Sequence, residues 1–137
     1  MDKKYYDALV QVRLDNAKGL LVDAENLLAD ESYKSANNRA FYCIEKCIKA
    51  LLATRHTDVA THNGALKQFN YYFIHEGDGT FTTDDYALIS HANQIRNNSD
   101  YDDFYVASKK EAAQQVKDAR YFFDKCTVYI NGLYEQG

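Results

Sequence analysis

Tyr33-Lys34-Ser35-Ala36-Asn37-Asn38-Arg39-Ala40-Phe41-Tyr42-Cys43-Ile44-Glu45-Lys46-Cys47-Ile48-Lys49-Ala50-Leu51-Leu52-Ala53-Thr54 decides the fold of this 137-residue chain. Ala36, Ala40, Cys43, Cys47, Ala50 and Thr54 recur at three- and four-residue spacing, with Phe41, Ile44, Ile48, Leu51 and Leu52 beside them. That is helical periodicity with almost no polar face. Only Arg39, Glu45, Lys46 and Lys49 interrupt the central surface, so the stretch reads as the central helix of a bundle. Asp30-Glu31-Ser32 before it supplies a cap. Arg39 and Tyr42 lie three apart and share a face, and an arginine there needs a carboxylate or a ligand to satisfy it.

Working outward, Val10, Leu14, Ala17, Leu21, Ala24 and Leu28 make a single apolar stripe over about Tyr5 to Ala29, with Gly19 inside it. That glycine either weakens the helix or admits a neighbouring backbone. On the other side, His62-Asn63-Gly64 precedes a helix from about Ala65 to His75, which Glu76-Gly77-Asp78-Gly79 stops. Thr83 or Asp84 caps a fourth helix through Tyr86, Leu88, Ile89, Ala92 and Ile95. Asn97 to Ala107 is too polar and aspartate-rich to read as helix. Ser108 with Glu111 forms a capping box for a last helix reaching about Tyr134. No strand pattern competes. The expected fold is all-α, an up-and-down antiparallel bundle of about five helices in one domain spanning 1–137.

Composition excludes several classes. Apolar residues make up 46% and charged residues 26% of the chain, and proline is absent; this is a folded helical composition, not a disordered one. No run nears the roughly 18 apolar residues of a membrane span, and Met1-Asp2-Lys3-Lys4-Tyr5-Tyr6 lacks a secretory signal's apolar core. Three cysteines without a close Cys-x-x-Cys pair point to reduced thiols in the cytoplasm. The net charge of −4 hides a polarity. Lys34, Arg39, Lys46, Lys49 and Arg55 stand against Glu45 alone, whereas seven acids between Glu76 and Asp103 stand against Arg96 alone. Such a division steers partners, pairs subunits, or is two neighbouring helices neutralising each other.

Chemistry-bearing residues are few. Cys43 and Cys47 are one turn apart, but a zinc site asks for four ligands, and His56 and His62 lie beyond the helix end; core packing is the expectation, with no metal and no cofactor. His75 and His91 read as surface residues. His62 and Asn63 stand at a helix entry, where free backbone N–H groups meet anions, or where His62 partners a nearby carboxylate. In Ile95-Arg96-Asn97-Asn98-Ser99-Asp100-Tyr101-Asp102-Asp103, Arg96 either grips phosphate bidentately or pairs with Asp100 across a turn. RNA cleavage there would need a proton-transfer group, ordinarily histidine, beside that cation. No histidine follows Arg96, and Tyr101 is a poor base, with an ordinary pKa of about 10.

The segment Tyr33 to Leu52, with its Arg39-Ala40-Phe41-Tyr42 and Ala50-Leu51-Leu52, resembles the second helix of HEPN (higher eukaryotes and prokaryotes nucleotide-binding) domains of a small prokaryotic subgroup. His62-Asn63-Gly64 is similar to that subgroup's His-x-Gly, and Arg96 to Tyr101 is similar to its Arg-x-x-x-Asp-Tyr. The resemblance, which covers roughly Leu14 to Leu133, implies a dimerising helical bundle, frequently paired as toxin and antitoxin with a minimal nucleotidyltransferase. Many such proteins are metal-independent endoribonucleases whose arginine is followed, after four to six residues, by a histidine. Here that window holds Tyr101, Asp102 and Asp103. A nearby tyrosine, Tyr101 or Tyr105, matches the position the partner enzyme modifies in some members.

Three readings follow. The first is a HEPN bundle without the usual catalytic histidine that binds a nucleotide, an RNA or a nucleotidyltransferase through Arg39, Tyr42, His62, Asn63 and Arg96. The second is an endoribonuclease toxin using Arg96 with Asp100 or Tyr101. The third is an assembly module in which Arg39 pairs with Asp100. The missing histidine favours binding or architecture over cleavage.

Overall fold

A computed structural model describes residues 3–136. Five helices run in order: α1 (Lys3–Ala29), α2 (Tyr33–Thr54), α3 (His62–Phe69), α4 (Thr83–Tyr101) and α5 (Lys109–Gln136). Among the described residues there is no strand. The apolar stripe of α1 is buried as its spacing predicts, at Val10, Leu14, Ala17, Leu21 and Ala24. α2 is the hub: Cys43, Ile44, Cys47, Ile48, Leu51 and Leu52 are fully buried, and it packs on α1, α3, α4 and α5. Side chains of this size contribute roughly 1.5–3 kcal/mol each on burial. Gly19 faces open space, so it admits no neighbouring backbone.

Helix ends depart from expectation where local hydrogen bonds decide them. Ser32 makes no capping bond. The preceding helix instead closes with Glu31 at φ 64° and the bonds Glu31 N–H to Leu28 O and Ser32 N–H to Leu27 O. α2 ends in the same way, with His56 at φ 55°, His56 N–H bonding Ala53 O and Thr57 N–H bonding Leu52 O. Both are left-handed caps, a place that glycine usually fills. Ser108 Oγ does accept the Glu111 N–H (3.1 Å), but the Glu111 carboxylate turns to Tyr105 and Asn37 instead of closing a box.

α3 begins at His62, so His62-Asn63-Gly64 is its first turn and not a prelude to it. Thr61 caps it by accepting the Gly64 N–H at 3.0 Å. A Cβ on Gly64 would stand 2.6 Å from Thr61 Oγ1 and 2.6 Å from Val59 Cγ1, so glycine is what lets the cap close. From Asn70 to His75 the helix widens into a π-helical stretch. It carries Phe69 and Phe73 (ring centres 5.7 Å apart) into an aromatic cluster with Phe81, Phe122 and Tyr129.

α4 starts one residue earlier than expected, at a full capping box between Thr82 and Asp85. It also runs on to Tyr101, through the polar stretch expected to be non-helical. Asp85 is buried and holds α4 against α5: it accepts Tyr121 Oη at 2.7 Å and Lys125 Nζ at 2.7 Å. Further cross-links include Arg13 to Asp58 (2.9 Å) and Arg120 to Glu25 (2.8 Å). Among the described residues no ion pair joins basic α2 to acidic α4.

Candidate functional site along the seam of helices two and four

The extension of α4 changes what the Arg96 segment is. Arg96 and Asp100 are i and i+4 on one helix, with Nη1 to Oδ2 at 3.0 Å; they do not span a turn. Arg96 is only 8% exposed. Its Nη2 donates to Asn97 Oδ1 at 2.5 Å, and the guanidinium lies 5.1 Å from the centre of the Phe41 ring. Its Nε is buried with no hydrogen-bond partner. Guanidiniums stack well on aromatic faces, but a buried N–H without an acceptor costs about 1–3 kcal/mol.

Phe41 has a second neighbour. The His62 ring meets it edge to face at 5.6 Å and stands 6.0 Å from the Tyr42 ring. His62 Nδ1 bonds the carboxylate of Glu45, whose side chain is 5% exposed while that of His62 is 36% exposed. Tyr42 and Glu45, three apart on α2, thus frame His62, and Phe41 separates it from Arg96. Asn63 is exposed and accepts from Asn93 Nδ2 on α4 at 3.4 Å. The Gly64 N–H, expected to be available to an anion, is taken by Thr61.

Towards the start of α2 the seam opens into a cleft of about 240 Å³ lined by Lys34, Ser35, Asn38, Arg39, Ser99 and Asp100. Arg39 is half-buried and donates to Asn38 Oδ1 at 2.5 Å. It lines the same cleft as Asp100 but forms no ion pair with it, because Asp100 is engaged by Arg96; the architectural Arg39–Asp100 lock is thereby overturned. Arg39, Tyr42, His62, Asn63 and Arg96 do lie along one seam. Glu45, the lone acid of a basic and otherwise apolar helix, is the carboxylate that meets His62, a pairing the sequence left unassigned.

Of the two candidate tyrosines, Tyr101 is 81% exposed. Tyr105 is half-buried, and its hydroxyl donates to Glu111. Phe104, between them, is 93% exposed. The cysteines line the core: the Cys43 thiol is held well above its ordinary pKa by its bond to Cys47 and by burial, which keeps it a poor nucleophile. Among the described residues no group of three or more His, Cys, Asp or Glu is placed to hold a metal ion.

The sequence profile of the HEPN domain matches residues 10–129. The chain belongs to the HEPN domain family. Two proteins of Methanocaldococcus jannaschii are similar to this HEPN chain. Putative toxin MJ0142 is 30% identical over 130 residues, covering 95% of the chain and 86% of the relative. Putative toxin MJ0605 is 29% identical over 117 residues, covering 85% and 84%. A UPF0332 protein of Archaeoglobus fulgidus is 28% identical over 124 residues, covering 89% of the chain and 95% of the relative. The all-α bundle is the HEPN-like fold that the resemblance implied, and no described helix is long and apolar enough to cross a membrane.

Proposed function

We propose that this HEPN protein is the toxin-type member of a toxin–antitoxin pair and that its α2–α4 seam grips the phosphate backbone of RNA. The observation that carries this reading is the cleft at the open end of the seam, where Arg39 lies half-buried beside Lys34, Ser35 and Ser99. A phosphate oxygen is a natural acceptor for guanidinium and ammonium donors. Arg96 stands behind the cleft, stacked on Phe41, and balances the charge of Asp100 at its edge. The names of the two Methanocaldococcus relatives support the toxin-type role.

In this reading two copies of the chain pair, and a nucleotidyltransferase acts as antitoxin by modifying Tyr101. Exposure favours Tyr101 over Tyr105, whose hydroxyl is already committed to Glu111. Fluorescence anisotropy with a labelled single-stranded RNA tests the core of the proposal. Arg39→Ala and Arg96→Ala should each weaken binding and each flatten the dependence of log K on log salt by about 0.7. Salt-independent or absent binding would reject an RNA seam, and equally tight binding of a mononucleotide would reassign the seam to nucleotides.

A further inference from the structure

We infer that a second cleft, between the first turns of α1, the exit of α2 and the last turns of α5, binds a small organic oxyanion. Its ligand is a carboxylate or phosphate group carried on an apolar body. The cleft encloses about 440 Å³, within the roughly 300–1,000 Å³ of small-molecule sites. Arg55 and His56 line it at the exit of α2, Asp7 on α1, and Tyr129, Leu133 and Tyr134 on α5. The fifteen residues from Arg39 to Thr54 rise about 22 Å along α2, so this cleft lies far from the RNA seam.

Charge selects the ligand. Among the described residues the lining includes one acid, Asp7, and it is already engaged by Lys3 Nζ at 2.7 Å and Tyr134 Oη at 3.4 Å. Arg55 has no such counterpart. Among the described residues its guanidinium makes no ion pair and no hydrogen bond, and it lies 5.0 Å from the centre of the Tyr72 ring. Tyr72, on the π-helical stretch Asn70–His75, thus steadies the guanidinium while its N–H donors stay open. His56 is supported in the same way, its ring stacked on Tyr6 with centres 4.5 Å apart. Neither the His56 ring nitrogens nor the Tyr129 hydroxyl meets a hydrogen-bond partner among the described residues.

Basic side chains beside the last turn of a helix commonly serve its free carbonyls. Here those carbonyls are taken: Leu51 O accepts from Thr54 Oγ1, Leu52 O from the Arg55 N–H, and Ala53 O from the His56 N–H. His56 also stands at φ 55°, where glycine would be relaxed, so the imidazole is present despite backbone strain. Arg55, His56 and Tyr129 therefore present donors that the fold does not use. In the same cleft Leu133 is 37% and Tyr134 44% exposed. An oxyanion on the Arg55 fork would bring an apolar body over these two side chains, whereas a neutral ligand would leave Arg55 without a counter-charge.

The test uses the full-length chain with naphthyl phosphate and naphthoate, followed by ligand fluorescence and amide NMR shifts. Both should bind saturably, with shifts concentrated at Thr54 to Thr57 and at Leu133 and Tyr134; the tighter of the two identifies the group. Arg55→Ala should weaken binding about tenfold or more, and Tyr129→Phe about threefold. Leu133→Ser, at an exposed position, should also weaken it, by about threefold. Naphthol, the same body without the charge, should bind at least about tenfold more weakly. Absence of saturable binding, equal affinity for naphthol, or affinity unmoved by Arg55→Ala overturns the assignment. Binding lost in Arg39→Ala but kept in Arg55→Ala places the oxyanion in the RNA seam and overturns it too. Failure of RNA to bind, with naphthyl phosphate still shifting Arg55 and Leu133, removes the seam proposal and leaves this one standing.

Discussion

Arg39 and Arg96 are both arginines of one seam, but their surroundings set different energetics. Arg39 is half-buried and makes one bond, to the neighbouring Asn38. Arg39→Ala should therefore leave the melting temperature nearly unchanged, and a clear fall would restore an architectural role. Arg96 gives up a stacked guanidinium and an ion pair whose acidic side is 37% exposed. Asp100 can be rehydrated when it is left alone, so Arg96→Ala should cost only about 1–2 kcal/mol in denaturant titrations. His62 is the contrasting case, because Glu45 has no water to turn to. At the residue scale, then, the sequence offered Asp100 as a partner for Arg96 but did not name Glu45 as the carboxylate that meets His62. The pairing of Glu45 with His62 joins positions 17 apart across a connection, and no helical periodicity reports on that.

At the scale of elements, helices were legible wherever an apolar stripe existed, and misjudged wherever a polar stretch is held by short-range bonds. The stripes of α1, α2 and α5 carried their own evidence. The last turn of α4 has no stripe: Asn97, Asn98, Ser99 and Asp100 favour caps and turns in isolation, and the helix survives there because Arg96 bonds both Asn97 and Asp100. The first turn of α3 was hidden for a related reason. Thr61 is the cap, and Gly64 is needed for close approach to it. Thr61→Ala should cost about 1 kcal/mol. Gly64→Ala should cost at least as much, because its methyl group would collide with Thr61 and Val59; equal stability of the two variants and wild type in urea would refute this account of the turn.

At the scale of the whole molecule, the link from α4 to α5 is electrostatic and should show in the response to pH. Burial pushes the Asp85 carboxyl up, but Lys125, Tyr121 and the Thr82 N–H outweigh it, so its pKa lies below the ordinary range. For Lys125, burial pushes the ammonium down and Asp85 and Tyr121 outweigh it, leaving its pKa raised. A lowered carboxyl stabilises the fold fully above its unfolded value of about 3.9 and ceases to do so as pH falls through its folded value. A raised ammonium stabilises fully below about 10.4 and ceases to do so as pH rises through its folded value. Melting temperature should thus be flat between these limits and drop outside them. Asp85→Asn should lower the plateau and soften both drops; unchanged acid sensitivity in that variant would show that other groups govern it.

Phe41 is the ring shared by a cation and an imidazole. Two groups that lean on one support cannot be perturbed independently. Substitutions of Arg96 and His62 are consequently non-additive: the second changes less once the first has let the ring relax. Evolution faces the same constraint, since drift at Phe41 alters both groups in a single step. The ring makes the two polar sites one unit of inheritance.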